Sequence, residues 1–104
     1  MDLIKLTKQV EQISAIYANK FAVERDGNWF MLKLSEELGE LTQAYLKVQK
    51  QARIGEVAEA ELMIRFEDEM ADVLGQLLLL ANHFEVDLET AVQRKWLRWL
   101  PKES

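Results

Sequence analysis

A chain of 104 residues and 12.1 kDa has room for one domain, here taken as residues 1–104, and not for two. It contains 13 Lys+Arg against 18 Asp+Glu, a net charge of −5, which argues against sequence-independent binding to a nucleic-acid backbone. The absence of cysteine excludes disulfides, Cys-ligated zinc and thiol nucleophiles, and one histidine excludes a multi-His metal site within one chain.

The first ten residues alternate charged and apolar side chains and lack the apolar core of a signal peptide. The longest uncharged apolar stretch, Val73–Phe84, is shorter than the roughly 18–20 residues a membrane helix needs. The expectation is a cytoplasmic protein with no membrane and no nucleic-acid partner.

Hydrophobic periodicity predicts four helices and no strand, an all-α, four-helix bundle-like protomer. Leu3, Leu6, Val10, Ile13, Ile16 and Tyr17 step by three or four and mark the first helix. The run Asp26-Gly27-Asn28 interrupts it, with Asn28 as the expected cap of the second helix. That helix carries Phe30, Leu34, Leu38, Leu41, Tyr45 and Val48 on one stripe. The spacing weakens over residues 49–60, around Gly55, where a connection is expected.

A third helix is predicted from about Glu61 to Phe84, with Phe66, Met70, Val73, Leu74, Leu77, Leu78, Ala81 and Phe84 facing a core. Asp87 reads as the N-cap of a fourth helix running through Trp96 and Trp99 until Pro101 stops it. The consecutive leucines Leu77–Leu80 cover nearly the whole circumference of their helix. A helix apolar all round must be buried all round, so a homo-oligomer, a homodimer or a dimer of dimers, is expected.

Acidic charge is concentrated in one part of the chain. Ten acids and four bases lie between Glu36 and Asp72, a net −6 for that window. Residues three apart on a helix are separated by about 60° and about 4.5 Å, so Glu37 with Glu40, and Glu69 with Asp72, each project as a pair from one side. Both pairs border the apolar stripes, where repulsion and desolvation penalise ionised carboxylates and a divalent cation relieves both costs. Oxygen ligands without His or Cys select Mg²⁺, with Mn²⁺ as a substitute. Glutamate runs on helices also form plain solvated faces, and that reading stands beside the first. Gly39, between Glu37 and Glu40, costs up to about 1 kcal/mol in a helix interior and suggests a close approach there.

The segments Lys33-Leu34-Ser35-Glu36-Glu37-Leu38-Gly39-Glu40-Leu41 and Glu69-Met70-Ala71-Asp72-Val73-Leu74 carry the pattern E-E-x-x-E followed by E-x-x-D. In this the chain resembles the MazG-like nucleotide pyrophosphohydrolases of the all-α NTP pyrophosphatase superfamily. The tail Val86–Lys95 is similar to that family's last helix, and the likeness covers Trp29 to Lys95, about two-thirds of the chain.

The resemblance implies hydrolysis of a nucleoside triphosphate, deoxy or damaged, to monophosphate and pyrophosphate. It implies Glu37, Glu40, Glu69 and Asp72 as Mg²⁺ ligands, with Glu36 beside them, either as an acid supporting the ligands or as the group that orients the attacking water. Lys95 and Arg98, and less strongly Lys33, are the expected phosphate contacts; Trp29 and Phe30 are the expected base contacts, with Phe21 weaker. Each has a plain alternative, as a solvated helix-end cation or a core aromatic. His83 is read as structural. The chain departs from the family pattern at Gln76, where some relatives carry tyrosine, and at Trp99, where many carry asparagine. Two other functions stay open: a phosphoribosyl-ATP pyrophosphohydrolase-like enzyme, and a non-catalytic helical interaction module using Trp96, Trp99 and Leu100.

Overall fold

The computed structural model describes residues 2–102 and contains four α-helices: α1 (Leu3–Lys20), α2 (Gly27–Val48), α3 (Glu59–His83) and α4 (Leu88–Lys95). A 3₁₀ turn, Leu97–Trp99, follows α4, and no strand occurs among the described residues. The all-helical reading of the sequence therefore holds. No described helix is long and apolar enough to cross a membrane.

Three helix starts are fixed by aspartates. The side chain of Asp2 accepts from Ile4 N at 2.8 Å, Asp26 from Trp29 N at 2.8 Å and Asp87 from Thr90 N at 3.1 Å. Each satisfies one of the free donors of a first turn. Asp87 is the expected cap, whereas α2 is capped by Asp26 and not by Asn28, which lies inside its first turn. The third helix starts after Ala58 with no side-chain cap and has Glu59 and Glu61 in its first turn, where acids complement the helix dipole.

The first three helices end in the same way. Ala22, Lys50 and Glu85 take left-handed φ values of 53°, 60° and 57°. The amide of the next residue reaches back five positions: Val23 N to Ala18 O, Gln51 N to Leu46 O and Val86 N to Ala81 O, each at 2.8 Å. This is the Schellman closure, made here by residues other than glycine. The fourth helix stops at Lys95, short of its expected end, and Trp96 to Trp99 tighten into the 3₁₀ turn.

The second and third helices form the central packed pair and run antiparallel: Phe30 meets His83 at one end and Tyr45 meets Phe66 at the other, with ring centroids 4.9 and 6.0 Å apart. The first helix lies against α3. Arg25, after α1, holds Glu11 through both guanidinium nitrogens at 3.0 and 2.6 Å, and its guanidinium carbon lies 5.3 Å from the centre of the Phe30 ring. This binds the α1–α2 turn to both helices.

The buried core is small: Ala18, Phe30, Leu62, Leu78, Leu79 and Ala81. Several residues expected in it are not there. Met70, Leu74, Leu77 and Phe84 are 38–59% exposed, because α3 is covered by α1 and α2 on only part of its circumference. Of the four consecutive leucines, Leu78 and Leu79 are buried, Leu80 is half-buried and Leu77 is exposed. The radius of gyration is 16.9 Å, against about 13 Å for a compact chain of this length.

The left-handed alanine gives a direct test of the helix endings. Ala22→Gly removes a Cβ penalty at φ 53° and should raise stability by about 0.5–1 kcal/mol, read as a thermal midpoint a few degrees higher. An unchanged or lower midpoint would contradict this account of the α1 terminus.

Candidate functional site

The site lies along the groove between α2 and α3. On α2 the residues Trp29, Lys33, Glu37, Glu40, Ala44 and Lys47 form one stripe at helical spacing. The antiparallel course of α3 sets Gln76, Asp72, Glu69 and Arg65 against them in reverse order. The stripe passes from aromatic Trp29 through Lys33 to the acids, and ends in the bases Lys47 and Arg65.

At its middle, Glu37, Glu40 and Glu69 each offer a carboxylate oxygen, and these atoms all lie within 4.8 Å of one another. Three of the four expected metal ligands are thus brought together. Asp72 lies outside that set, yet its carboxylate borders the same cavity as Glu37. Glu36 is not part of the group: it is exposed and pairs with Lys33 Nζ at 3.4 Å on the same helix.

Crowding of like charge at a partly buried place leaves a clear electrostatic mark. The Glu37 carboxyl is pushed from its ordinary 4.5 up to about 7, by burial first, then by the adjoining Glu40 carboxyl and the charges of Asp72 and Glu69. Glu69 is raised by burial and by Glu40 and Asp72, and Asp72 by burial and by Glu40 and Asp68. Glu37 Oε2, Glu69 Oε2 and Gln76 Oε1 are buried without a hydrogen-bond partner. Orphaned oxygens of this kind are costly unless something else satisfies them. An all-oxygen donor set with unpartnered lone pairs fits a hard divalent cation.

A cavity of about 440 Å³ opens from the acidic cluster toward α1. Its walls include Tyr17 and Ser14 of α1, Trp29, Lys33 and Glu37 of α2, and Asp72 and Gln76 of α3. Trp29 is therefore where a base contact was expected. Phe30 is not: it is 3% exposed, packed edge-on to Trp29 at 5.1 Å and against His83 at 4.9 Å, so it is a core residue supporting Trp29. Its position one residue along α2 turns it about 100° from Trp29, into the α2–α3 packing. His83 belongs to this aromatic packing, as its structural reading requires. Phe21 lies on Tyr17 at 4.8 Å and does not itself line the cavity.

Lys33 lines the cavity, and its ammonium lies 5.9 Å from the centre of the Trp29 ring. Lys95 and Arg98 line neither cavity beside the carboxylates. Lys95 ends α4, and the Arg98 guanidinium covers Trp99 at 4.8 Å, so one chain does not bring them to the acids. Gly39 has open space at its missing Cβ, so no close approach within the chain explains it.

Sequence reasoning missed Tyr17 and gave Gln76 only as a departure from a family pattern. Tyr17 was hidden in the apolar stripe of α1, and only the packing of α1 on α3 carries it to the groove. Gln76 was legible by spacing, since it follows Asp72 by one helical turn on the same face.

Raised carboxyls bind protons more tightly in the fold than in the unfolded chain. In metal-free buffer, stability should therefore fall as pH rises from about 5 through about 7, as Glu37, Glu69 and Asp72 ionise in place. Asp87 and Glu59 are shifted downward, so their contributions are confined to lower pH. Urea midpoints in EDTA should decline across that interval for the parent and decline less for Glu37→Gln; a rising midpoint would contradict the crowding. No family model matches the chain, and no curated protein and no solved structure matches it either.

Proposed function

We propose that the α2–α3 groove hydrolyses a nucleoside triphosphate to its monophosphate and pyrophosphate with Mg²⁺ bound at Glu37, Glu40, Glu69 and Asp72. The observation that carries this reading is the meeting of Glu37, Glu40 and Glu69 oxygens within 4.8 Å, directly beside a cavity walled by Trp29 and Tyr17. The resemblance of E-E-x-x-E and E-x-x-D to the MazG-like pyrophosphohydrolases supports it from the sequence side.

The division of labour follows from the groove. Trp29 and Tyr17 offer ring faces to a nucleobase, and Phe30 behind Trp29 holds that indole in place. Gln76 lines the same cavity and brings a side-chain amide to it. Lys33 puts a positive charge between the aromatic wall and the carboxylates, where the first phosphate of a bound nucleotide would lie. Water adds to that phosphorus, the bond to the bridging oxygen of the β-phosphate breaks, and the electron pair leaves with pyrophosphate. Magnesium bound at the carboxylates would neutralise the polyphosphate and lower the pKa of a coordinated water. With its carboxyl pushed up to about 7, Glu37 is only partly ionised near neutral pH, and its remaining proton must leave for the carboxylate to serve as a ligand.

The same proposal includes a homo-oligomer. Met70, Leu74, Leu77 and Phe84 leave a large apolar surface on α3, and the chain is too extended for its length to bury that surface alone. Trp96 and Trp99, 70% and 74% exposed, favour a second role for the C-terminus as a contact surface, which is compatible with catalysis in the groove.

The test is release of pyrophosphate against orthophosphate from a panel of NTPs, dNTPs and modified nucleotides, in Mg²⁺ and in EDTA. Metal-dependent pyrophosphate is expected, with Glu40→Gln and Glu69→Gln lowering turnover at least about 100-fold while the variants keep the oligomer size of the parent. Near-normal activity in either variant, or no release from any nucleotide, would overturn the assignment.

A further inference from the structure

Besides the aromatic cavity, a second one of about 270 Å³ lies on the other side of the carboxylates. The two divide the acids between them: Glu37 and Asp72 line the aromatic cavity, and Glu40 and Glu69 line the second. Its far wall is different in kind. It has no aromatic side chain and carries Lys47, Arg65 and Gln43. We infer that this second cavity is a subsite for the leaving pyrophosphate, with Lys47 and Arg65 as its anion ligands; the inference rests on the hydrolase reading of the groove.

Helix geometry supports the assignment. Lys47 follows Glu40 by two turns of α2, about 10.5 Å along the axis, and helical side chains lean toward the N-terminus, so Lys47 leans back toward Glu40. It is half-buried and has no ion-pair partner among the described residues. Arg65 precedes Glu69 by one turn on the same face of α3, and its contact with Glu61 is 3.3 Å between two largely exposed side chains. Such a pair contributes little and is readily exchanged for a phosphate oxygen.

Polarity gives the direction. A nucleotide laid along the groove has its base at Trp29, its scissile phosphate between Lys33 and the carboxylates, and its outer phosphates at Lys47 and Arg65. Asp68, Glu40 and Glu69 outnumber the two cations, so the cavity accepts an anion only after a divalent ion has offset the acids.

Calorimetric titration of inorganic pyrophosphate into the full chain, with and without saturating Mg²⁺, tests this. Binding is expected with Mg²⁺ and not in EDTA. Lys47→Ala and Arg65→Ala should each weaken it about tenfold or more, and Lys47→Arg should largely restore it. Titration with Mn²⁺ alone should give the same affinity in all these variants, separating the subsite from the metal ligands and from loss of fold. Pyrophosphate binding unaffected by both alanine variants, or absent from the parent in Mg²⁺, would overturn the subsite. A parent that releases no pyrophosphate from any triphosphate, yet binds pyrophosphate through Lys47, would instead remove the hydrolase reading and leave an anion site.

Discussion

The constraint on which the rest of this structure depends is the confinement of like charge between two antiparallel helices. Glu37 and Glu40 share one face of α2, Glu69 faces them from α3, and their oxygens gather within 4.8 Å. Carboxylates so placed repel one another and lose hydration, and the upward shifts of Glu37, Glu69 and Asp72 express that cost. With only six apolar residues buried among the described residues, the fold has little stability to spare for it. In the function proposed above, the arrangement would serve as a receptor for positive charge.

The groove around the cluster is ordered by the same antiparallel pairing. Because α3 runs against α2, a stripe that reads Trp29, Lys33, Glu37, Glu40, Lys47 along one helix is matched by Gln76, Asp72, Glu69, Arg65 along the other. Aromatic surface gathers at one end, acid in the centre and base at the far end. In the proposed function, that sequence of surfaces would meet the ring, the scissile phosphate and the outer phosphates of a nucleotide in turn. Phe30 of α2 and Leu62, Leu78 and Leu79 of α3 are the large buried apolar side chains of these two helices.

Much of this was legible in the sequence, because helical periodicity acts locally. The i, i+3 spacing of Glu37 with Glu40 and of Glu69 with Asp72 identified the acidic faces, and Asp87 announced the last helix. Other features required the tertiary fold. The ends of α1, α2 and α3 are closed by left-handed Ala22, Lys50 and Glu85, which carry no glycine signal. Met70, Leu74 and Phe84 share the apolar period of the core residues, and only the placement of α1 and α2 shows that they remain uncovered. Phe30 and Trp29 are neighbours in sequence, but one helical step turns Phe30 into the core and leaves Trp29 on the cavity. Lys47 and Arg65 come from different helices and share no motif, so nothing short of the packed pair joins them.

The most direct measurement of the central claim is the electron paramagnetic resonance of Mn²⁺ added to the protein. If the convergent oxygens of Glu37, Glu40 and Glu69 form a receptor for a hard dication, the six-line signal of hydrated Mn²⁺ should fall as protein is added. It should return when Mg²⁺ competes, and stay undiminished with a Glu37→Gln, Glu69→Gln double variant. A hydrated-ion signal that the parent protein leaves unchanged would contradict the account.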